Sequence, residues 1–280
     1  MSAPLSDAPA RAAEALPFAL TRPVRIAEVA LAARDPQTVA AWYRQVLGLE
    51  PTGTAPEGGI ALGAGGVPFL ILRRAAADAA GDDRRAAGLF HTAFLLPSRR
   101  DLARWVRRAA ADSIKIDGLA DHLVSEAFYL TDPEGNGVEI YADRDPAEWP
   151  REGGRLKMAN APIDFEALER SRGDAEPYGA APALTRIGHV HLRVGDAAVA
   201  EAWWRSEVGL DTVTSWPGAA FLASGGYHHH IAANTWSSRG AGPRDPARTG
   251  LAYVRLDGPA IASERELRDP WGTTVRLTPA

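Results

Sequence analysis

One stretch of this chain recurs at a fixed distance. Ile26-Ala-Glu-Val-Ala-Leu, Asp35, Trp42-Tyr43-Arg44 and Gly48-Leu49 reappear 161 residues later as Ile187-Gly-His-Val-His-Leu, Asp196, Trp203-Trp204-Arg205 and Gly209-Leu210. A single offset held over so many positions marks an internal duplication, so the fold must be built from repeated units. Each copy reads as a strand, a loop ending at Asp, an amphipathic helix with an aromatic pair, and a Gly stop. Two more strand-like stretches follow in each: 59–62 and 67–73 in the first, 219–223 and 227–234 in the second. A related unit follows each copy. Gly88-Leu-Phe-His opens one, a helix over 101–111 carries Leu102, Trp105 and Val106, a strand covers 128–131, and Asp132-Pro-Glu-Gly-Asn-Gly turns into Val138-Glu-Ile-Tyr. Gly250-Leu-Ala-Tyr and Asp269-Pro-Trp-Gly match its two ends. The offset there falls from 162 to 137, so the last unit has lost 25 residues and its helix. The fold class is therefore α+β, with four βαβββ units at about 24–75, 88–143, 185–236 and 250–278. The expected division is a flexible tail over 1–23, a first domain over 24–145, a linker over 146–184 with a short helix at 164–172, and a second domain over 185–280.

The chain holds 280 residues, which fits two domains of this kind. A hydrophobic fraction of 46% and a charged fraction of 24% are those of a globular protein. A net charge of −4 without a basic run argues against a nucleic-acid partner. No apolar run approaches the ~20 residues of a membrane span. The first twenty residues lack the basic start and solid apolar core of a secretory leader, so a cytoplasmic protein is expected. Zero cysteines exclude disulfides, Cys-ligated zinc, iron–sulfur clusters and a thiol nucleophile. The seven histidines cluster instead in four short segments: His91, His122, His189 with His191, and the run His228-His229-His230. Neutral imidazole is a common metal ligand and transfers protons near pH 7, so a metal site assembled from strands is the first expectation.

The four units, with Tyr43-Arg-Gln-Val-Leu-Gly-Leu in the first and Tyr129-Leu-Thr-Asp-Pro-Glu-Gly-Asn-Gly-Val-Glu-Ile-Tyr in the second, resemble the vicinal-oxygen-chelate superfamily. That superfamily holds glyoxalase I, extradiol dioxygenases, fosfomycin-resistance enzymes and bleomycin-binding proteins. Gly88 to Arg99, Asp121 to Ala127 and Gly225 to Trp236 are most similar to its two-domain bacterial catechol-2,3-dioxygenase group. The resemblance implies two vicinal-oxygen-chelate domains in which paired units curl around one metal. The ligands would come from first and last strands. First strands offer Glu28, His91, His189 and Tyr253; last strands offer Phe69, Glu139, His230 and Arg276. Pairing units two and three yields His91, Glu139 and His189, the two-His-one-carboxylate set of Fe(II) oxygenases. Sequential pairing yields no such set. The competing readings are a water-facing Glu139, a hydrogen-bonded core His91, and Glu28 at a polar rim.

The resemblance also implies that Tyr129 and His122 line the substrate pocket and act in catalysis. Read as strand residues, His228 and His230 share one face, so His230 is expected to approach the metal or the substrate. The roles of His191 and His228 stay open. The implied function is an extradiol dioxygenase acting on a catechol- or hydroquinone-like aromatic, with Fe(II), Mn(II) or another divalent metal, a small aromatic substrate and O2. A glyoxalase-type isomerase, a thiol transferase and a metal-free binding or resistance protein are the alternatives. The truncated fourth unit is expected to leave apolar surface that a second copy would cover in a homodimer.

Overall fold

The computed structural model describes residues 15–55 and 58–280. Its strands form two large sheets, and each sheet draws on both halves of the chain. The first has seven strands in the order Arg265–Arg268, Thr274–Pro279, Gly250–Gly258, Arg25–Ala33, Val67–Arg74, Ile60–Ala64, Glu50–Thr54. It joins units one and four. The second has eight: Asp211–Trp216, Ala219–Ala223, Ile231–Asn234, Arg186–Arg193, Gly88–Leu95, Gly137–Asp143, Ser125–Thr131, Gly118–Asp121. It joins units three and two. The central seams are antiparallel, Arg25–Ala33 on Gly250–Gly258 and Arg186–Arg193 on Gly88–Leu95.

The helices form where their capping chemistry permits. Asp35, Ser98, Asp164 and Asp196 accept backbone N–H bonds at the starts of Pro36–Leu47, Arg99–Ala111, Phe165–Arg172 and Ala197–Trp203. Gly48 ends the first helix at φ 71°. In the third unit the helix passes into a π turn over Trp204–Val208 before Gly209. Trp105 and Trp204 are fully buried, and the Trp105 indole N–H donates to the Val46 carbonyl at 2.9 Å. As expected, the fourth unit has no helix.

One continuous apolar core takes in residues from both sheets and the helices. The central strands alternate across it. Phe94, Val138, Ile140, Val190 and Leu192 point into this core. The intervening positions, including His91, Glu139 and His189, therefore line the opposite face of the eight-stranded sheet. Both faces are covered, which is why these strands read as apolar runs.

Several expectations need correction. Glu50–Thr54 and Asp211–Trp216 are strands absent from the sequence reading; they are sheet edges whose side chains are mostly exposed or half-buried, so no apolar alternation marks them. The strand expected over 227–234 begins only at Ile231, because Gly225 and Gly226 both take positive φ and the chain is irregular up to His230. Of the tail expected over 1–23, residues 1–14 lie outside the described residues. Phe18–Thr21 is a short 3-10 helix with Ala19 fully buried, not a free tail. Phe18 packs edge-on against Trp149 at 5.7 Å, which fixes it there. The fourth unit contributes none of the exposed large apolar side chains among the described residues, because its edge strand is Arg-Glu-Leu-Arg. The ground for a homodimer is thus missing from that unit.

Candidate metal centre

Three strands of the eight-stranded sheet bring His91, Glu139 and His189 together. Gly88–Leu95 lies at the middle. Arg186–Arg193 runs antiparallel to it with His191 opposite His91 and His189 opposite Ala93, the register shifting by bulges on either side. Gly137–Asp143 runs parallel on its other edge, Glu139 opposite Ala93. Two glycines permit this close packing. A Cβ at Gly137 would meet the Phe90 carbonyl oxygen at 2.1 Å, and one at Gly188 would meet the Tyr141 hydroxyl at 1.8 Å.

His91 Nε2 stands 2.9 Å from Glu139 Oε2, and His189 Nε2 stands 3.3 Å from the same oxygen. The two Nε2 atoms are 3.4 Å apart. All three side chains are buried, and one ligand atom from each lies within 4.8 Å of the others. Burial alone would raise the Glu139 pKa. The adjacent His189 and His91 override it and hold the carboxyl well below the usual carboxylate range. Burial takes His189 down to about 4, against the pull of Glu139. At neutral pH this is an ionised carboxylate beside a neutral His189 imidazole, the protonation a divalent ion requires. Glu139 Oε1 and His189 Nδ1 have no hydrogen-bond partner despite burial. Unpartnered buried acceptors of this kind need an explanation, and a cation at the cluster provides one for Glu139. Two imidazoles and one carboxylate fit a non-haem Fe(II) or similar divalent ion.

A cavity of about 620 Å³ opens over the cluster, the size of a small-molecule site. Phe90, Trp216, Phe221 and Trp236 supply aromatic walls. His122 and Tyr129 also face it. His122 Nδ1 lies 3.0 Å from the Ala159 carbonyl, so that nitrogen carries the proton. Its Nε2 accepts from the Tyr129 hydroxyl at 2.6 Å. Burial and then the Glu139 charge push the Tyr129 pKa well above its ordinary value, so the phenol stays protonated. Asn160 and Met158 line the cavity too. The connection between the halves, with Ala161 bridged to Asp121, is thus part of the wall.

The remaining sequence candidates sort differently. His191 faces the cavity between Phe90 and Trp236, with ring centroids at 5.0 and 5.3 Å. His230 does not approach the cluster. It is fully buried, its Nδ1 accepts from the Ser224 N–H at 3.3 Å, and its Nε2 lies 3.3 Å from the Ala19 carbonyl. It ties down the segment before the first strand. His229 takes the cavity position instead, its ring 4.1 Å from that of His189. The irregular Tyr227–His230 segment breaks the alternation on which the strand reading rested. The two glycines before the run were the signal that could have shown this. Glu28 lies in the other sheet, where it accepts from the Tyr253 hydroxyl and faces Arg255 at 3.4 Å.

Comparison with known proteins gives this arrangement a family. Residues 25–140 match the Glyoxalase/Bleomycin resistance protein/Dioxygenase superfamily. A protein of Bacillus subtilis (strain 168) called catechol-2,3-dioxygenase is 40% identical over 191 residues, which is 67% of this chain and 66% of that protein. The alignment therefore spans just under two thirds of the relative's length. Among solved structures, a putative dioxygenase from Bacillus subtilis subsp. subtilis str. 168 superposes with a TM-score of 0.58 at 13% identity, covering 92% of this chain and 86% of that one. Glyoxalase I from Zea mays gives 0.54 at 15% identity, covering 91% and 92%. At such identities the likeness is one of fold. Together with the duplicated units and the two sheets they form, these matches show that the chain belongs to the Glyoxalase/Bleomycin resistance protein/Dioxygenase superfamily.

Proposed function

We propose that this protein is a cytoplasmic, metal-dependent extradiol ring-cleaving dioxygenase acting on a catechol- or hydroquinone-like aromatic. His91, Glu139 and His189 hold the ion. Fe(II) is the favoured ion and Mn(II) the alternative. The observation that carries the reading is the convergence of two imidazoles and one carboxylate at an aromatic-walled cavity. The relative named catechol-2,3-dioxygenase supports it.

The bound ion would lower the pKa of a coordinated diphenol and bring O2 beside the ring. The protein's own groups do the rest. Phe90, Trp216, Phe221 and Trp236 sandwich an aromatic substrate and exclude water. His229 is an imidazole at the cavity with no ligand role, beside His189, and it receives the proton that the substrate hydroxyl gives up. Tyr129 and His122 form a hydrogen-bonded pair that holds the phenol proton at the opposite wall, where it can be released to a reacting oxygen.

The test is oxygen uptake by the Fe(II)-loaded protein with a panel of catechols and hydroquinones. One O2 consumed per substrate, with a yellow ring-opened product, is the expected result. Absence of uptake across the panel, with metal confirmed by elemental analysis, would overturn the oxygenase reading in favour of an isomerase or transferase.

A further inference from the structure

Behind the cavity lies a chain of hydrogen-bonded polar groups. His229 Nδ1 is 2.8 Å from His228 Nδ1. His228 Nε2 is 2.9 Å from Asp143 Oδ1. The same oxygen accepts from the Tyr227 hydroxyl at 3.3 Å, and Tyr227 meets the Tyr141 hydroxyl at 2.7 Å. His228 is fully buried between Tyr227 and Trp149, with ring centroids at 4.0 and 5.4 Å. A histidine held this rigidly, with both nitrogens engaged, is more than packing.

Hydrogen-bond inventory fixes the protons. An ionised carboxylate only accepts, so His228 Nε2 carries a hydrogen toward Asp143. With one proton on each ring, His228 Nδ1 is then a bare lone pair. The 2.8 Å contact requires one donor, and that donor is His229 Nδ1–H. The remaining nitrogen of His229, Nε2, is left with its lone pair on the ring that lines the cavity.

We propose that Asp143 and His228 are positioning residues that hold His229 in the single tautomer whose bare Nε2 faces the substrate. The purpose of the device rests on the proposed function, since an oxygenase acting on a diphenol needs an acceptor there. Its existence does not. A free imidazole in solution exchanges between tautomers; one backed by a carboxylate through a second imidazole does not. Neither residue lines the cavity.

Two measurements test this. The first reads the ring nitrogens directly, by two-bond proton–nitrogen correlation on 15N-histidine-labelled protein loaded with diamagnetic Zn(II). The expected pattern is Nε2–H on His228 and Nδ1–H on His229. In Asp143→Leu the His229 pattern should become a mixture of tautomers. A proton on His229 Nε2 in the unaltered protein overturns the proposal, as does an unchanged His229 tautomer in Asp143→Leu. The second is turnover of the Fe(II)-loaded protein. His228→Phe keeps a ring in the stack but cannot bond His229. It should lower kcat by about 100-fold, the scale of lost acid–base help, while KM and metal content stay within about 3-fold of the unaltered protein's. Full kcat in His228→Phe overturns the proposal. If the unaltered protein cleaves no diphenol, the proposed function fails, and the nitrogen spectra still decide the tautomer.

Discussion

The two sheets are built on one plan and use it in opposite ways. At the positions that the duplication equates with His189, His91 and Glu139, the seven-stranded sheet carries Glu28, Tyr253 and Arg276. There the carboxylate is satisfied internally: Tyr253 donates to Glu28, and Arg255 stands 3.4 Å from it. Two guanidiniums lie against the Tyr253 ring, Arg276 at 4.1 Å and Arg73 at 5.0 Å from its centroid. Burial, with the Glu28 bond, pushes the Tyr253 phenol up to about 12. This is a self-neutralising cluster in which fixed arginines occupy the electrostatic role of a cation. In the eight-stranded sheet the carboxylate lies against two imidazoles and keeps one oxygen unpartnered. The lesson is that the frame sets where three side chains meet. Whether the meeting point demands an ion depends on whether the chain has already supplied positive charge.

Disturbing the carboxylates should break this symmetry most. Glu139→Gln is expected to fold, yet to lose most of its metal on dialysis. Activity should fall by ~100-fold or more, since even an outer hydrogen-bond partner of a ligand can account for up to ~100-fold. Elemental analysis after dialysis checks this, and undiminished metal would make Glu139 a mere structural acid. The next effect in size belongs to the cavity wall. His122→Phe should retain metal and fold while kcat drops by ~100-fold. Tyr129→Phe should lose less, about 10-fold, because one hydrogen bond worth on the order of 1.4 kcal/mol disappears. If His122→Phe loses metal instead, His122 is itself a ligand. The smallest effect is expected in the seven-stranded sheet. Glu28→Gln should leave metal content and turnover untouched and cost about 1 kcal/mol of stability, read as a lower denaturation midpoint. Any loss of metal in that variant would contradict the contrast between the sheets.

Much of this contrast was legible in the sequence. The 161-residue offset marked the repeated units, and the resemblance to the vicinal-oxygen-chelate superfamily implied His91, Glu139 and His189, from units two and three, as the ligand set. The structure draws one sheet from units two and three and the other from units one and four, in line with that pairing. What remained hidden depends on tertiary detail. Edge strands such as Glu50–Thr54 carry no apolar period because their side chains are exposed or half-buried on both faces. The His228-His229-His230 run is read correctly only when the chain is known to be irregular there, for a strand and a turn present opposite faces from the same residues. The contribution of Met158 and Asn160 to the cavity could not be inferred from a segment whose composition reads as a connection.

The pairing of first unit with last has a bearing on how the molecule is made. Arg25–Ala33 must wait for Gly250–Gly258, the partner on one of its edges, so one sheet closes only when nearly the whole described chain has left the ribosome. The other sheet needs nothing beyond Asn234. Synthesis proceeds at roughly 5–20 residues per second and domains fold as they emerge. The sheet that carries His91, Glu139 and His189 thus has a head start of a few seconds over the other. During that interval the first unit waits beside it with one edge of Arg25–Ala33 unpaired. Slow translation between residues 234 and 250 would lengthen this exposure, and fast translation would shorten it.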